Sequence, residues 1–489
     1  MKLRASLVAI FLATCALTMA AQETSIKRLD GSKITSSEID ATVTRLMHAA
    51  EVTGGGIVLF NDGKIAYAKG YGLRDKEKNL PFTPDTVLTA ASLTKSAFAC
   101  MVMQLVQEKL LDLDKPVYQY LPKPLPEYPN YTDLASEERY KKITARMILS
   151  HTTGFPNWRW FQDDKKLSIN FDPGSRYAYS GEGIVLLQFV VETITGKSAQ
   201  ELMQRRIFGP LGMTRSSMIT EPTFANDVAN RYDEYGRPLS VEQRKSANAA
   251  GSMQTTLNDY ARLLAAIMQT KVLNKETRDL MLSPQIQIFS RAQFPSLSTE
   301  TTDVNKSIKL SYGLGWGLYW TPYGKAFFKE GHDEGWRNYT VCFENGTGIL
   351  ILTNSSNGEG IFKELLETLL KNTFTPIEWE GYTPYDKLPP RPQLKEHKIA
   401  QVPQELLDKY AGRYGDPPNL ILTVRREGDH LSIQENDEPK QELFPETQHR
   451  FFSKSSDDVF SFQIDSTGRV ASMTLHAPGR DILIKRLKE

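Results

Sequence analysis

Apolar and polar positions divide the chain into strand-rich ends and a helical middle. Near the N-terminus, GIVLFNDGKIAYAKGYG reads as two apolar strands joined at 61–63, which predicts a β-hairpin. Helical spacing follows at 92–110, 143–150, 183–194 and 257–268. Strand-like runs return at YGLGWGLYW, KAFFKEG, NYTVCFEN and TGILILTN, before a final helix around 361–370. The pattern predicts one sheet built from both chain ends, with a helical insertion beside it.

The C-terminal part of the chain has a different pattern. Residues 375–402 are rich in proline, which predicts a linker or an extended strap. Beyond it, apolar residues alternate with polar ones at 420–424 and 460–464, as in half-buried strands. We therefore expect a large domain over 22–374 and a small all-β domain over 403–489.

The N-terminus has the pattern of a cleaved signal peptide over 1–21. A basic start is followed by an apolar run at 7–17 and small residues near Ala20. This predicts export, to the periplasm or the medium. Residues 12–15 resemble a lipoprotein cleavage box, but Thr14 fits it poorly, so lipid anchoring is the less favoured alternative. No later segment has the uninterrupted apolar length of a transmembrane helix.

Composition excludes several classes of function. The formal net charge is +1, with basic and acidic residues interspersed, which gives no footprint for nucleic acid or an anionic membrane. The 7 histidines are scattered and none has metal-ligand spacing, so neither a metal nor another cofactor is expected. Cys100 and Cys342 lie in apolar runs and are predicted to be packing residues.

Ser92 and Lys95 stand three residues apart where a long apolar helix begins, in TAASLTKSAFAC. A serine there has an ordinary explanation as a helix cap, and chance yields about one or two Ser-x-x-Lys matches in a chain this long. One helical turn also puts the amine within reach of the hydroxyl. Such a lysine can activate the serine if burial beside a second cation lowers its pKa.

Several separated blocks in one order carry a family resemblance. They are LTAASLTKSAFA, LDLDKPVYQYLP, ITARMILSHTTGFP, PGSRYAYSGEGIVLL, AAGSMQTTLNDYARLL and FFKEGHDEGW. Over 37–373 the chain resembles the penicillin-recognising serine hydrolases, which include class C β-lactamases, D-alanyl-D-alanine carboxypeptidases and related esterases. The resemblance implies an α/β (α+β) fold, with an antiparallel sheet flanked by helices and the active site in a groove beside a helical lobe. The C-terminal domain resembles the lipocalin-like β-barrel of many such hydrolases, and no partner for it is predicted.

The resemblance also implies roles for individual residues. Ser92 would be the acylated nucleophile and Lys95 its base. Tyr179 would shuttle protons to the leaving group and from the deacylating water, as a phenolate favoured by two nearby ammonium groups. Lys329 would supply the second cation, and His332 is the rival for that role.

Two further elements of the site are implied. The backbone N–H groups of Ser92 and His332 would form the oxyanion hole. Gly331 would let the substrate approach the backbone closely. His151 and Arg146 are expected to be structural.

The sequence departs from the antibiotic-hydrolysing pattern at two positions. Gly181 stands where the family has an asparagine, and Glu182 is a candidate to fill the space. Glu330 replaces a threonine or serine that helps to bind a substrate carboxylate, although strand alternation predicts that it points away from Lys329. These departures favour a neutral or amine-bearing ester, lactone or short peptide.

The predicted function is therefore an exported serine acyl hydrolase. The alternatives are a D,D-carboxypeptidase, a D-aminopeptidase or a β-lactamase, and, from another class, a non-catalytic binding protein of the same fold.

Overall fold

A computed structural model describes residues 25–241, 243–389, 397–416, 420–435, 440–454, 456–477 and 480–487. The predicted signal peptide lies outside these residues. None of the helices within them is long and apolar enough to cross a membrane.

The helical segments lie mainly in the middle of the chain. The α-helices are α1 Ser36–Ala49, α2 Leu93–Gln107, α3 Ala145–Leu149, α4 Gly181–Thr195, α5 Ala199–Met203, α6 Leu257–Met268, α7 Lys275–Met281, α8 Phe362–Leu365 and α9 Gln404–Tyr410. Wider π-type turns extend α5 over Gln204–Phe208 and α8 over Leu366–Leu370. Short 3₁₀ turns occur at Val117–Tyr120, Leu125–Glu127, Pro129–Leu134, Glu138–Lys142, Arg159–Phe161, Pro222–Phe224, Val304–Lys306, Gly358–Ile361 and Tyr385–Lys387.

Strands dominate both ends of the first domain and the whole C-terminal domain. In the first domain they are β1 Ser25–Lys27, β2 Lys33–Thr35, β3 Gly54–Asn61, β4 Lys64–Asp75, β5 Leu80–Pro81, β6 Leu88–Thr89, β7 Arg231–Tyr232, β8 Pro238–Leu239, β9 Gln254–Thr255, β10 Ile286–Gln287, β11 Ser311–Tyr312, β12 Gly317–Thr321, β13 Gly324–Asp333, β14 Trp336–Phe343 and β15 Gly348–Thr353. In the second they are β16 Gly412–Asp416, β17 Leu420–Glu427, β18 His430–Glu435, β19 Gln441–Pro445, β20 Arg450–Ser453, β21 Val459–Ile464, β22 Val470–Ala477 and β23 Arg480–Lys485.

One nine-stranded antiparallel sheet contains strands from both ends of the first domain, as predicted. Its order is β10-β11-β12-β13-β14-β15-β3-β4-β5. The β3–β4 hairpin turns at Asp62 and Gly63, which both have positive φ, as a two-residue type I′ turn requires. The mixed α/β fold expected from the resemblance is therefore confirmed.

Helices cover both faces of this sheet. Along β3, Val58 and Phe60 enter one apolar core with α2, α4 and α6, whereas Ile57 and Leu59 enter a second core with α1 and α8. Because successive strand side chains point to opposite faces, a fully apolar strand such as β3 is the one that both layers bury.

Part of the predicted linker is packed rather than extended in solvent. Residues 375–389, here called the strap, place Ile377, Trp379 and Tyr382 in the second core. The indole N–H of Trp379 donates to Ser290 Oγ at 3.1 Å. The strap is therefore part of the first domain's surface.

The C-terminal domain is an antiparallel barrel in which β16 to β23 follow one another in order. An antiparallel bridge between Tyr414 and Arg486 brings the first and last strands together, so that the barrel is nearly closed. Aromatic rings fill its interior, including Tyr410, Phe451 and Phe462. The prediction of a small all-β domain is confirmed.

Candidate active site

Ser92 lies in a tight turn immediately before α2. The preceding residue, Ala91, has a φ of 48°, a left-handed conformation that non-glycine residues rarely adopt. Ser92 is the N-cap residue, yet its side chain makes no capping hydrogen bond. The ordinary explanation of this serine as a helix cap therefore does not hold, and its half-buried hydroxyl faces the side chain one turn on.

That side chain is the buried amine of Lys95. Its Nζ lies 2.9 Å from Ser92 Oγ and 2.6 Å from the carbonyl oxygen of Ala250. Burial lowers the pKa of Lys95 well below its ordinary value, the charge of Lys329 lowers it further, and Glu330 opposes the shift. The direction is the one that lets an amine accept the serine proton.

Tyr179 lies between Ser92 and Lys329 and forms hydrogen bonds with both. Lys329 Nζ donates to the Tyr179 hydroxyl at 3.2 Å. Burial raises the pKa of Tyr179 well above its ordinary value, Glu330 adds to the rise, and a hydrogen bond with Ser92 opposes it. In the resting protein burial thus favours the phenol over the expected phenolate, and the role of Tyr179 in proton transfer stays a prediction. Tyr179 is therefore a protonated donor before substrate enters.

Glu330 does not point away from Lys329, which corrects the expectation from strand alternation. Its Oε1 lies 2.5 Å from Lys329 Nζ and accepts from Gln293 Nε2 at 3.1 Å. The reason lies in the sheet: β12 pairs with β13 only as far as Phe328, so the strand beyond it has an open edge. The long lysine side chain reaches around that edge to the neighbouring carboxylate.

Gly331 lies against the turn that carries Ser92. A Cβ at this position would lie 2.4 Å from the Ala90 carbonyl oxygen and 3.1 Å from Leu93 Cγ. The absence of a side chain therefore lets β13 pack directly against the turn that carries Ser92. This close approach joins two parts of the protein, and the approach of a substrate to Gly331 stays a prediction.

The backbone N–H and the imidazole of His332 have different surroundings. Asp333 and Trp336 close a two-residue turn, so in the alternating ladder the His332 N–H points to the open edge of β13. The imidazole is half-exposed, and its Nδ1 lies 3.2 Å from Glu359 Oε2. Lys329, not His332, thus contacts Tyr179.

Trp158 occupies the space beside Gly181. A Cβ on Gly181, the first residue of α4, would lie 2.5 Å from Cη2 of the Trp158 ring. Glu182 does not fill the space, because it is buried in an ion pair with Arg159 at 2.8 Å. The polar contact that an asparagine would make is replaced here by an indole face, 6.0 Å from Lys95 Nζ.

The His151 ring packs against the Tyr179 ring. Its ring centroid lies 4.4 Å from that of Tyr179, and its Nδ1 accepts from the Ser180 N–H at 3.2 Å. Burial lowers the pKa of His151, with Lys329 and Lys95 adding to the effect, so the ring is neutral. Arg146 lies elsewhere, 2.7 Å from Asp114.

Ser92, Lys95 and Tyr179 line a groove of about 760 Å³, together with Trp158 and His332. One side is aromatic, with Trp160, Phe161 and Phe294 all exposed by 45% or more. The groove is also lined by the carboxylates of Glu330, Asp333, Glu334, Glu359 and Glu380. Arg244 lies in the groove too, 3.8 Å from Asp333.

Sequence reasoning missed the residues that the strap contributes. Glu380, Gly381 and Tyr382 line the groove, although the stretch was predicted to be a linker. The aromatic residues of WEGY within the proline-rich segment were the available signal, since a solvated linker has no use for them.

A helix that starts at a Ser-x-x-Lys turn above a groove, on an antiparallel sheet covered on both faces, defines the penicillin-recognising class of proteins. The chain belongs to the beta-lactamase family, whose model matches residues 39–371. A second family, a domain of unknown function called DUF3471, matches residues 396–486.

Individual relatives agree with this assignment. Penicillin-binding protein 4* of Bacillus subtilis is 22% identical over 82% of this chain and 88% of its own length. The D-aminopeptidase of Gluconobacter oxydans is 28% identical over 40% of this chain and 38% of its own length. The octameric penicillin-binding protein homologue from Pyrococcus abyssi has the same fold, with a TM-score of 0.55 and 23% identity over 92% of this chain and 99% of that one.

Proposed function

We propose that this protein is an exported serine hydrolase that cleaves an ester or amide through an acyl-enzyme on Ser92. The observation that carries the proposal is the position of Ser92 Oγ, 2.9 Å from the buried amine of Lys95. An amine whose pKa is lowered by burial is the base that a serine hydroxyl needs at neutral pH.

Acylation uses both lysines and the tyrosine. Neutral Lys95 takes the Ser92 proton as Oγ attacks the carbonyl carbon, and the N–H groups of Ser92 and His332 stabilise the oxyanion. Tyr179 gives its proton to the leaving group as the carbonyl–leaving group bond breaks. The phenolate so formed lies 3.2 Å from the Lys329 ammonium group, which stabilises it.

Deacylation reverses these proton movements. The Tyr179 phenolate, or neutral Lys95 once it has passed its proton to the phenolate, accepts a proton from the attacking water. The hydroxide oxygen forms a bond to the acyl carbon, the bond to Ser92 Oγ breaks, and Oγ recovers a proton. The product acid leaves and the resting protonation is restored.

The charges that line the groove favour a substrate with no free carboxylate near the reacting bond. Glu330 stands beside Lys329, and Arg244 lies near Asp333, so a carboxylate ligand would meet negative charge at both places. This disfavours carboxypeptidase and β-lactamase activity. Small esters, lactones and short peptides fit better, with the exposed aromatic residues binding their apolar part.

The test is hydrolysis of p-nitrophenyl acetate and butyrate by the protein and by Ser92→Ala, with intact mass recorded after fluorophosphonate treatment. We expect turnover and a single adduct in the wild type, and neither in the variant. If the wild type shows neither, the proposal fails in favour of a non-catalytic binding protein. Efficient hydrolysis of nitrocefin that depends on Ser92 would overturn the substrate assignment.

A further inference from the structure

A buried polar pocket lies beside Lys329, formed by three segments that are distant in sequence. Glu330 comes from β13, Gln293 from the loop before β11, and Glu380 from the strap; we call these three residues the carboxylate pocket. Their side chains are well enclosed, with relative exposures of 4%, 2% and 5% for the whole residues. Glu330 and Glu380 also line the groove that contains Ser92.

One carboxylate oxygen of this pocket, Glu380 Oε1, has no hydrogen-bond partner among the described residues. The other carboxylate oxygen of Glu380 accepts from the Tyr339 hydroxyl at 2.9 Å. A buried polar atom without a partner is unfavourable, so Glu380 is incompletely satisfied in the free protein.

The charges of the pocket indicate what kind of donor it needs. Lys329 already lies 2.5 Å from Glu330. Burial raises the pKa of Glu380 well above its ordinary value, Glu330 adds to the rise, and Lys329 and Tyr339 oppose it. The raised pKa favours the neutral acid in the free protein, in which Glu380 Oε1 is a hydroxyl without a partner, and an incoming positive charge favours its ionisation.

We propose that the carboxylate pocket binds the ammonium group of an amine-bearing substrate, with Glu380 as its principal contact. An ammonium group has three donors, no acceptor and a positive charge, which matches the unpartnered oxygen of Glu380 once that acid has ionised, next to the carboxylate of Glu330. A neutral hydroxyl or amide can donate a hydrogen bond but brings no charge to ionise Glu380. The exposed rings of Trp160 and Phe294 lie in the same groove and bind the apolar part of that substrate.

This inference rests on the proposed function, because the bound amine belongs to an ester or amide whose carbonyl reaches Ser92. The first test uses a neutral substrate, p-nitrophenyl butyrate, and measures its inhibition by butylammonium chloride and by 1-butanol at pH 7. The variants are Glu380→Gln, Glu380→Asp and, as the matched control, Glu378→Gln. Glu378 is an exposed carboxylate two residues away on the strap.

We expect butylammonium to inhibit the wild type and Glu378→Gln at least tenfold more strongly than 1-butanol does. Its inhibition constant should rise at least tenfold in Glu380→Gln. It should rise by an intermediate factor in Glu380→Asp, which keeps a carboxylate but places it further from the bound amine because the side chain is shorter. Equal inhibition by the amine and the alcohol, or an unchanged constant in Glu380→Gln, would overturn the proposal. So would equal competition by potassium chloride, which would indicate a site for inorganic cations.

Calorimetry separates this proposal from the proposed function. Butylammonium binding should release up to one proton per site from the wild type, seen as a dependence of the heat on buffer ionisation, and none from Glu380→Gln. If the protein hydrolyses no ester yet binds butylammonium through Glu380, the subsite stands and the hydrolase assignment fails. If it hydrolyses esters and binds no amine, the reverse holds.

The position of the amine in the substrate can then be tested. Benzyl isobutyrate and the two enantiomers of alanine benzyl ester have acyl groups of nearly equal size, and only the alanine esters carry an amine. With the amine on the acyl side, kcat/KM should favour one alanine ester by at least tenfold, and Glu380→Gln should abolish the preference. An equal rate for all three esters would contradict recognition of an acyl-side amine.

Discussion

Lys329 and Glu330 act on the pKa of Lys95 in opposite directions. The ammonium group of Lys329 lowers it, and the carboxylate of Glu330 raises it, while burial makes the largest contribution. The two residues are adjacent in sequence and in contact, so these opposing charges adjust a pKa that burial has already lowered. A threonine at position 330 would leave the Lys329 charge unopposed.

The pH dependence of hydrolysis follows from the pKa of Lys95. If neutral Lys95 is the base, kcat/KM for a neutral ester rises as the pH rises through the lowered pKa of Lys95. Lys329→Met removes a charge that lowers this pKa, so the rising limb should move to higher pH. Glu330→Gln removes a charge that raises it, so the limb should move to lower pH.

The measurement is the pH profile of kcat/KM for p-nitrophenyl butyrate, with Glu378→Gln as a control that should keep the wild-type limb. Both active-site variants will be slower, but the position of a limb does not depend on its height. Limbs that stay at the wild-type pH in both variants would show that Lys95 is not the titrating base.

Among the elements, α4 is held in place by the loop at 157–161. The first residue of this helix, Gly181, packs its backbone against the Trp158 ring. Two residues further on, Gly183 has room for a side chain, since the nearest atom to a Cβ there is 3.5 Å away. The same helix thus offers one position where a methyl group clashes and one where it fits.

We therefore expect Gly181→Ala to lower the free energy of unfolding by about 1–3 kcal/mol, the usual cost of overpacking. Gly183→Ala should leave it unchanged or raise it by up to about 1 kcal/mol, since alanine is the better helix former. Urea denaturation checks both. In a Trp158→Ala background the cost of Gly181→Ala should disappear, and additive effects would mean that the ring is not the obstacle.

Local patterns predicted the elements but not the contacts between distant ones. The helical periodicity of α2, α4 and α6 and the Asp62-Gly63 turn are properties of short windows. Helix α1 was missed although Thr35 and Glu38 form a capping box, a signature that is visible in sequence. The positions of the site residues came from the resemblance. The structure brings Ser92, Lys95 and Tyr179 into one groove, with Lys329 buried behind them in contact with Tyr179.

Three features of the site could not be found in this way. Alternation places the Cβ atoms of Lys329 and Glu330 on opposite faces of β13, but it does not fix where two long side chains end, and their charged groups meet. The Trp158 ring and Gly181 meet across 23 positions with no periodic signal. The strap contributes to the site because it packs beside the groove and forms part of its wall. The proline content of a segment does not indicate where that segment packs.

At the scale of the whole molecule, the barrel has an apolar core of its own. The buried residues of that core all come from 407–484, and they form a cluster separate from the two cores of the first domain. Arg237 and Asp457 form an ion pair between the domains at 3.1 Å, with half of the aspartate side chain exposed. Such a pair contributes at most about 1 kcal/mol.

We predict that the two domains unfold separately. Calorimetry should resolve two transitions, and a chain that ends at residue 389 should lose one and keep the midpoint of the other. Asp457→Asn should move the midpoint of the large domain by no more than about 2 °C and that of the small barrel by no more than about 8 °C. A single cooperative transition that shifts when the barrel is removed would contradict independent unfolding.

The strap lies between the segments that the two families match, at 39–371 and 396–486. Glu380, Gly381 and Tyr382 nevertheless form part of the groove wall. An ancestral chain could therefore have exchanged this short segment by recombination while every motif residue stayed fixed. Among descendants with identical motifs, diversification of substrate preference would then follow the strap, and a phylogeny built from the motifs alone would group together proteins that select different substrates.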